Sequence, residues 1–206
     1  MSFVDVPQVS NVAPGGTFTV AFPVGRTYRS VQLLTGNLPA AQVTNLSLKL
    51  NGKSIQDWGS LAEMLGVNKY YIRGDGSANG YYTLHFSRPE LNDASRDATA
   101  LGTSNLETMT LEGVIDPAAI APTLAVKADV TAPRPLGLLT KVKRFPVTYA
   151  TGGVQQLATL PRGPRIIAVH LFNDATTLLL DVRVEANSVT VIKGTVADLA
   201  DFESLQ

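Results

Sequence analysis

The chain has 206 residues, of which 17 are basic and 17 acidic, so its formal charge at pH 7 is zero. A neutral chain lacks the positive field that attracts a nucleic acid backbone, and no run of about 18 apolar residues is present to cross a bilayer. The absence of cysteine excludes disulfides, thiolate zinc sites and cysteine nucleophiles. An apolar content of 45% at zero net charge predicts a folded chain rather than a disordered one.

The N-terminus, Met1 to Pro7, lacks the basic segment, apolar core and small-residue cleavage site of a secretory signal. We therefore expect a protein that carries no signal peptide and is made in the cytoplasm. The length allows one large domain or two small ones.

Alternation of apolar and polar residues predicts strands at Thr17–Phe22, Tyr28–Leu34 and Leu46–Leu50. Asn51-Gly52 follows the third strand, and this dipeptide suits the two positive φ angles of a type I′ turn. A partner strand is therefore predicted at Lys53–Trp58, completing a hairpin.

Ser60 stands three residues before Glu63, which is the spacing of a capping box, and Gly66 suits a left-handed helix stop. This pattern predicts a short helix at Leu61–Leu65. Alternation between turn residues predicts four more strands, which gives eight before residue 131. These are Asn68–Ile72, Tyr81–Ser87, Asn105–Ile115 and Thr123–Val130.

Two prolines in Thr131–Pro135 cannot donate to a sheet ladder, so this segment is predicted to be a stiff linker. Thr195–Gln206 is predicted to be a helix, because its apolar residues recur near helical spacing and Thr195 with Asp198 repeats the capping pattern. Five strands are predicted between this linker and this helix. They are Leu138–Tyr149, Val154–Leu160, Arg165–Phe172, Leu178–Glu185 and Val189–Lys193.

The second half repeats the order of signals in the first half, and the offset in residue number is constant over its first part. The matching residues are Pro23 and Pro161, Gly25 and Gly163, Val31 and Val169, and Leu33 and Leu171. After a loop shift, Leu48 and Leu50 match Val182 and Val184, and the two capping pairs match.

A repeat this long indicates duplication of a whole domain. The alternative is two unrelated β-sandwiches that share alternation and turns through composition alone. The second copy stops about four strands early, so we expect that residues are absent or that another chain supplies the missing strands.

Two stretches of the first half carry a family resemblance: PVGRTYRSVQLL at 23–34, and LKLNGKSIQDW at 48–58 with the helix up to Tyr71. They resemble the N-terminal domain of corticovirus-type viral coat proteins, the double jelly-roll major capsid proteins of tailless, membrane-containing bacteriophages. RPLGLLTKVKR at 134–144 and LPRG at 160–163 resemble the start of that family's second domain.

The resemblance implies an all-β protein with two tandem eight-stranded jelly rolls. The repeat indicates in addition that the second jelly roll is incomplete in this chain, and the capping patterns predict one short helix in each. The domains would be an N-terminal jelly roll at 1–130, the proline-rich linker at 131–136 and the first half of a second jelly roll at 137–206. It also implies a homotrimeric major capsid protein whose pseudo-hexagonal trimers tile an icosahedral virion shell around an internal membrane. The implied partners are other copies of the chain, vertex proteins and minor membrane-associated capsid proteins, with no direct contact with nucleic acid.

Histidine chemistry is unpromising, because His85 and His170 lie in distant parts of the sequence, each without a neighbouring histidine or paired carboxylate. The His-x-His pair of a cupin-like metalloenzyme is missing, and so are the motifs of serine hydrolases and nucleotide-binding proteins. We therefore expect no enzyme activity.

Asp75, Ser77 and Asn79 alternate oxygen ligands before a glycine, as at the start of a calcium loop. The twelfth position is Phe86 where an EF-hand requires a bidentate glutamate, so a full EF-hand is excluded. The sequence leaves open a weak calcium site at these three residues or a polar hairpin tip, and it predicts no other cofactor.

An alternative function is that of a β-sandwich attachment or carbohydrate-binding protein, if exposed aromatic residues share one face. The candidates are Trp58, Tyr70, Tyr71, Tyr81 and Tyr82. Lys141, Lys143 and Arg144 alternate along a predicted strand, so they indicate either a basic face toward acidic or phosphate groups or an ordinary solvated face.

Overall fold

The computed structural model describes residues 2–6, 9–73, 80–91, 93–148, 153–154, 156–157, 165–172 and 180–195. The chain divides into two compact units, Met1–Gln156 and Leu157–Gln206. None of the helices within the described ranges has both the length and the apolar character needed to cross a bilayer.

The first unit is built mainly from strands. In its described residues these are β1 Ser2–Val6, β2 Val9–Ser10, β3 Thr17–Phe22, β4 Thr27–Gly36, β5 Val43–Leu50, β6 Lys53–Ser60, β7 Tyr81–His85, β8 Leu101–Gly102, β9 Met109–Ile115 and β10 Thr123–Thr131. Helix α1, Leu61–Tyr70, lies between β6 and β7, and short 3₁₀ helices occur at Ala40–Gln42 and Ala94–Asp97.

The strands of the first unit form two antiparallel sheets. Sheet A has the order β1-β10-β4-β7, with β8 paired to β4, and sheet B has the order β2-β3-β9-β5-β6. When the two-residue strands β2 and β8 are set aside, eight strands remain, four in each sheet, in the order of a jelly roll. The predicted all-β jelly-roll class is therefore confirmed.

Alternate apolar side chains from both sheets fill the space between them. In β3, Phe18, Val20 and Phe22 are buried while the residues between them are half-buried. Gly113 leaves room for Phe18, since a Cβ on this glycine would come within 2.7 Å of the Phe18 ring. Burying one such large apolar side chain contributes about 1.5–3 kcal/mol, so this interior is the main source of stability.

The predicted hairpin between β5 and β6 is confirmed. Asn51 and Gly52 have φ angles of 47° and 74°, as a type I′ turn requires. The Asn51 side chain also accepts hydrogen bonds from the backbone N–H groups of Glu107 and Thr108, at 2.9 and 3.0 Å. The turn is therefore tied to the segment that leads into β9.

Helix α1 starts where the sequence predicts it to start. The Ser60 hydroxyl accepts a hydrogen bond from the Glu63 N–H at 3.1 Å. The Glu63 carboxylate accepts from the N–H of Gly59 at 2.8 Å, one residue before the predicted donor. The Ser60 side chain therefore satisfies a backbone donor that the helix leaves unpaired, and the Glu63 side chain binds the residue before the N-cap.

The predicted end of α1 is wrong, because the helix passes through Gly66 and ends at Tyr70. Val67 and Asn68 are buried, and the Asn68 side chain donates to the Thr83 carbonyl of β7 at 2.7 Å. This tertiary contact outweighs the intrinsic cost of a helical glycine, which is about 1 kcal/mol. The predicted strand at Asn68–Ile72 is wrong for the same reason.

Residues 132–144, called the strap below, pack along the first unit instead of leaving it. The Ala132 carbonyl accepts from the Thr27 hydroxyl at 2.8 Å, and the Arg134 carbonyl accepts from the Ser104 N–H at 3.1 Å. Leu136 N–H donates to the Asn105 side chain at 2.8 Å. The strap is therefore held at the end of the sandwich through its own backbone groups.

Further along, the strap meets β6, the edge strand of sheet B. Val142 N–H donates to the Ile55 carbonyl at 3.0 Å, and its carbonyl accepts from Asp57 N–H at 3.1 Å. The Gln56 side chain donates to the Thr140 carbonyl at 3.2 Å. The described residues 138–148 form only an isolated bridge here, so the predicted strand at Leu138–Tyr149 is wrong. The bridge covers backbone groups that an open edge would expose.

In the second unit, β11 Asp181–Ala186 and β12 Val189–Thr195 pair as an antiparallel hairpin. This confirms the predicted strands at Leu178–Glu185 and Val189–Lys193 in outline. Arg165–Phe172 is described and forms no strand, so that prediction is wrong. The predicted final helix lies outside the described residues beyond Thr195, and so does most of the predicted strand at Val154–Leu160.

The hairpins of the two units share their turn and their β-bulge. Asn187 and Ser188 have φ angles of 51° and 63°, as the residues of the β5–β6 turn do. In the first hairpin the unpaired bulge residue is Ile55, four positions after Asn51. In the second it is Val191, four positions after Asn187.

Alignment on the turn and bulge changes one of the matches made from sequence. Val182 and Val184 correspond to Leu46 and Leu48, because Asn187 takes the place of Asn51 in the turn. The sequence-based match paired Val182 and Val184 with Leu48 and Leu50, two positions further along the first strand. An alternating pattern looks the same after a shift of two residues, so alternation alone cannot fix the register.

Gly102 allows the strap to approach β8. A Cβ at this position would overlap the Pro135 carbonyl oxygen and come within 2.6 Å of the Arg134 carbonyl oxygen. We expect Gly102→Ala to displace the strap, lower the free energy of unfolding by roughly 1–3 kcal/mol and speed tryptic cleavage near Lys141. Urea unfolding and limited proteolysis measure the two effects.

The matched control is Gly137→Ala, because Gly137 lies within the strap and a Cβ there would meet no atom within 4 Å. We expect this variant to be cleaved at the wild-type rate. Equal cleavage of both variants would contradict a closely packed strap.

Candidate assembly surfaces

The predicted calcium ligands Asp75, Ser77 and Asn79 lie outside the described residues. The calcium site therefore stays a prediction. In the part of the chain that the structure describes, no three His, Asp or Glu side chains lie close enough together to hold a metal ion.

A cross-strand row on the outer face of sheet A brings Asp129, Ser30 and His85 side by side. A hydrolase triad requires the histidine between the serine and the carboxylate, whereas here Ser30 lies in the middle. His85 Nε2 and Asp129 Oδ1 are buried and have no hydrogen-bond partner among the described residues. The row therefore supplies no activated nucleophile.

An ion cluster lies next to His85 and joins the end of α1 to the connection after β7. Arg73 donates to both carboxylate oxygens of Glu90, at 2.8 and 2.7 Å, and Arg88 donates to the same carboxylate at 3.2 Å. Burial alone would raise the pKa of Glu90, but hydrogen bonds from Arg73 and Arg88 contribute to lowering it to about 2. The Arg73 guanidinium also lies 4.7 Å from the centre of the Tyr71 ring.

His85 is kept neutral by the same surroundings. Burial lowers the pKa of His85 to about 4. The positive charges of Arg73 and Arg96 act in the same direction, and Glu90 opposes them. Nothing in the sequence spacing marks this cluster, because strand β7 and the segments before and after it contribute its members.

A second ion pair fixes the Ala94–Asp97 helix to β4. Arg29 Nε and Nη2 donate to Asp97 Oδ2 at 2.9 and 2.6 Å. The hydrogen bond to Asp97 raises the pKa of Arg29, burial opposes this, and the charges of Asp97 and Asp129 add to the rise. Arg134 of the strap donates to the Asp97 carbonyl at 3.1 Å, so this connection also holds the strap.

The outer face of sheet B has short side chains and charges that are paired within the face. Lys49 Nζ lies 2.7 Å from Glu112 Oε2. The Asp57 carboxylate accepts hydrogen bonds from the hydroxyls of Ser47 and Ser54. Other outward side chains from β3 and β9 are Thr17, Thr19, Ala21, Thr110 and Val114. This face can lie against a neighbour without burying an unpaired charge.

The aromatic residues considered for sugar binding do not share one exposed face. Tyr82 is buried and Trp58 packs against the core, whereas Tyr81 is on the opposite side of β7 from Tyr82. Tyr70 and Tyr71 contact each other edge to face, with 5.0 Å between ring centres. Some of these aromatic residues therefore belong to the core and others to the surface, and they form no shared platform for a sugar.

Lys141, Lys143 and Arg144 of the strap are exposed. Lys141 and Lys143 flank Val142, which pairs with β6, and Arg144 Nη1 lies 3.5 Å from the Asn45 side-chain oxygen. The strand predicted at Leu138–Tyr149, on which these residues were expected to alternate, does not form.

Two shallow depressions lie at the end of the sandwich where β7 and β10 begin. The one on sheet A has a volume of about 380 Å³ and includes Leu34, Tyr81 and Leu124. The other lies beside Ile120 and Pro39. Both are open and lack the converging polar groups of a small-molecule site.

Comparison with known proteins identifies relatives of this chain. A model of the viral coat protein P2 N-terminal domain matches residues 3–131. Major capsid protein P2 of Pseudoalteromonas phage PM2 is 28% identical over 178 residues, which cover 82% of this chain and 65% of that protein. The crystal structure of major capsid protein P2 from bacteriophage PM2 aligns with a TM-score of 0.60 and 27% identity, covering 65% of this chain and 51% of that chain. The chain thus spans less than two thirds of the relative's length.

The lowered pKa of His85 makes stability depend on pH. In the unfolded chain His85 takes up a proton near its ordinary pKa of 6.5, but in the fold only near 4. Stability that is present above pH 6.5 is therefore lost as the pH falls from 6.5 to 4. We expect His85→Gln to remove roughly 2 kcal/mol of the loss between about pH 7.5 and 4.5, as measured by urea unfolding.

The matched control is Ala41→Gln, because Ala41 is exposed and neither side chain titrates. We expect the control to keep the wild-type pH dependence. Glu90 acts at lower pH, since its stabilising effect is lost only as the pH falls from 4.5 to about 2. An unchanged slope in His85→Gln would contradict the buried neutral histidine.

Proposed function

The chain belongs to the family of the viral coat protein P2 N-terminal domain, and on that premise we propose that it is the major capsid protein of a tailless, membrane-containing bacteriophage. Three copies form a pseudo-hexagonal trimer, and trimers tile an icosahedral shell around an internal membrane. The observation that carries the proposal is the family match over residues 3–131, the range of the described jelly roll. A coat protein of this kind acts by packing and not by catalysis.

The surface of the first unit supports a role as a building block. The outer face of sheet B has short side chains, and the Lys49–Glu112 ion pair balances charge within the face. The strap occupies part of the β6 edge, which limits sheet-to-sheet polymerisation through that strand. Association through faces and loops is thereby favoured over open-ended strand addition.

We extend the proposal to the second unit. Residues 137–206 are assigned to part of a second jelly roll, which residues 131–136 join to the first at 1–130, and residues 137–144 belong to the strap that packs along the first unit. The shared turn and bulge of the β5–β6 and β11–β12 hairpins support this assignment. An isolated hairpin is marginally stable, and Val189 and Val191 are exposed, so further strands are needed to cover its apolar side chains.

The proposed location is the virion shell, after synthesis in the host cytoplasm. The proposed partners are other copies of the chain, vertex proteins and minor membrane-associated capsid proteins, with the internal membrane nearby. The zero formal charge supports the absence of direct contact with nucleic acid.

The test is the mass and shape of the purified full chain. We expect sedimentation velocity to give a particle of three times the chain mass of 21.9 kDa, and electron microscopy to show six lobes in that particle. A monomer that persists up to about 100 μM would overturn the coat-protein proposal. A trimer with three lobes would overturn the second jelly roll alone.

A further inference from the structure

The end of α1 and the turn after it expose a basic, an aromatic and an apolar side chain close together in the chain. Lys69 is exposed, Tyr70 is 51% exposed and Ile72 is 90% exposed. A single exposed apolar residue is common on protein surfaces. Its combination with an aromatic residue and cations is typical of segments that contact a membrane surface.

The backbone holds Ile72 in this exposed position. Its φ angle is 54°, in the left-handed region that β-branched residues avoid. Its N–H donates to the Lys69 carbonyl at 3.0 Å, and the Arg73 N–H donates to the Asn68 carbonyl at 2.9 Å, which closes the end of α1. Strained residues of this kind cluster at functional sites, and burial within the first unit does not offset the strain at Ile72.

The connection after β7 brings further cations next to this turn. Arg73 and Arg88 both donate to the Glu90 carboxylate, at 2.7 and 3.2 Å. The Arg88 N–H donates to the Arg96 carbonyl at 2.9 Å. The end of α1 and this connection are therefore one continuous surface, called the α1-end surface below, which consists of residues 69–73, 88–91 and 93–96.

The α1-end surface has more positive than negative charge. Its described residues carry four cations and two carboxylates. The ion pairs among the described residues use Glu90 twice and leave Lys69 and Arg96 without an acidic partner. Since the charges of the whole chain cancel, this excess is local. The cations are Lys69, Arg73, Arg88 and Arg96, and the carboxylates are Glu90 and Asp93.

We propose that the α1-end surface binds the phosphate groups of an anionic lipid surface, with Ile72 entering the boundary between the head groups and the acyl chains. The inference rests on the proposed function, in which a membrane lies inside the shell. A lipid surface accepts cations and an apolar side chain together, whereas a free phosphate makes no use of the isoleucine. One copy makes few such contacts, so copies held in one shell would bind together.

The test is sedimentation of the purified full chain with vesicles. We expect the chain to bind vesicles of phosphatidylcholine with phosphatidylglycerol but not vesicles of phosphatidylcholine alone, and NaCl to weaken the binding. Arg96→Gln is expected to lower the partition coefficient about 5-fold. Ile72→Asn is expected to lower it about 10-fold, and asparagine tolerates the left-handed φ angle of the turn.

The matched controls are Ile120→Asn and Lys141→Gln, which make the same changes outside the α1-end surface. Ile120 is 81% exposed in a turn beside Pro39, and Lys141 is exposed on the strap. Both variants are expected to bind vesicles as the wild type does. Equal losses in the controls and in the α1-end variants would contradict a site at this surface.

The other results separate the lipid from other occupants. Wild-type trimers that bind neither kind of vesicle would overturn the inference and leave the proposed function standing. Calorimetric titration with inorganic phosphate addresses a free anion, and phosphate binding that Arg96→Gln removes, without vesicle binding, would overturn the lipid surface. Weaker self-association of Ile72→Asn with unchanged vesicle binding would overturn it in favour of a second copy. A chain that binds anionic vesicles through this surface but stays monomeric would overturn the proposed function alone.

Discussion

Burial of one shared interior between two antiparallel sheets is the constraint on which the first unit depends. Phe18 and Leu111 come from adjacent strands of sheet B, and Leu33 and Leu84 from adjacent strands of sheet A; all four are almost completely buried. Because strand side chains alternate, each inward residue fixes its neighbours outward. The outer faces and end loops are thereby left to carry charges, hydroxyls and exposed isoleucines without disturbing the core.

The same architecture creates edges, and the chain covers parts of two of them with its own atoms. At β6, Val142 of the strap exchanges two backbone hydrogen bonds, and at β7 the Asn68 side chain binds the Thr83 carbonyl. Such cover limits aggregation, because exposed edges pair with any other strand. Specific association is then left to side chains.

The sequence predicted the features that depend on neighbouring residues. Alternation located the long strands, Asn51-Gly52 located the hairpin, and Ser60 with Glu63 located the start of α1. The end of α1 could not be predicted, because Asn68 is held there by β7, a strand that begins well beyond the helix in the chain. The packing of the strap could not be predicted either. Its prolines indicate a stiff segment, but they do not show which part of the protein that segment packs against. The surroundings of His85 depend on Arg73 and Arg96, which local spacing does not connect to it.

The hairpin bulge is the sharpest argument for duplication. Alternation and turn residues recur in unrelated β proteins through composition, but a bulge is a specific register change that tends to be kept within a family. Ile55 is buried in the first unit and Val191 is exposed in the second, so no common packing in the described residues explains the shared register. Common descent of the two hairpins explains it, since an inherited backbone register persists while side chains diverge from Leu46 and Leu48 to Val182 and Val184.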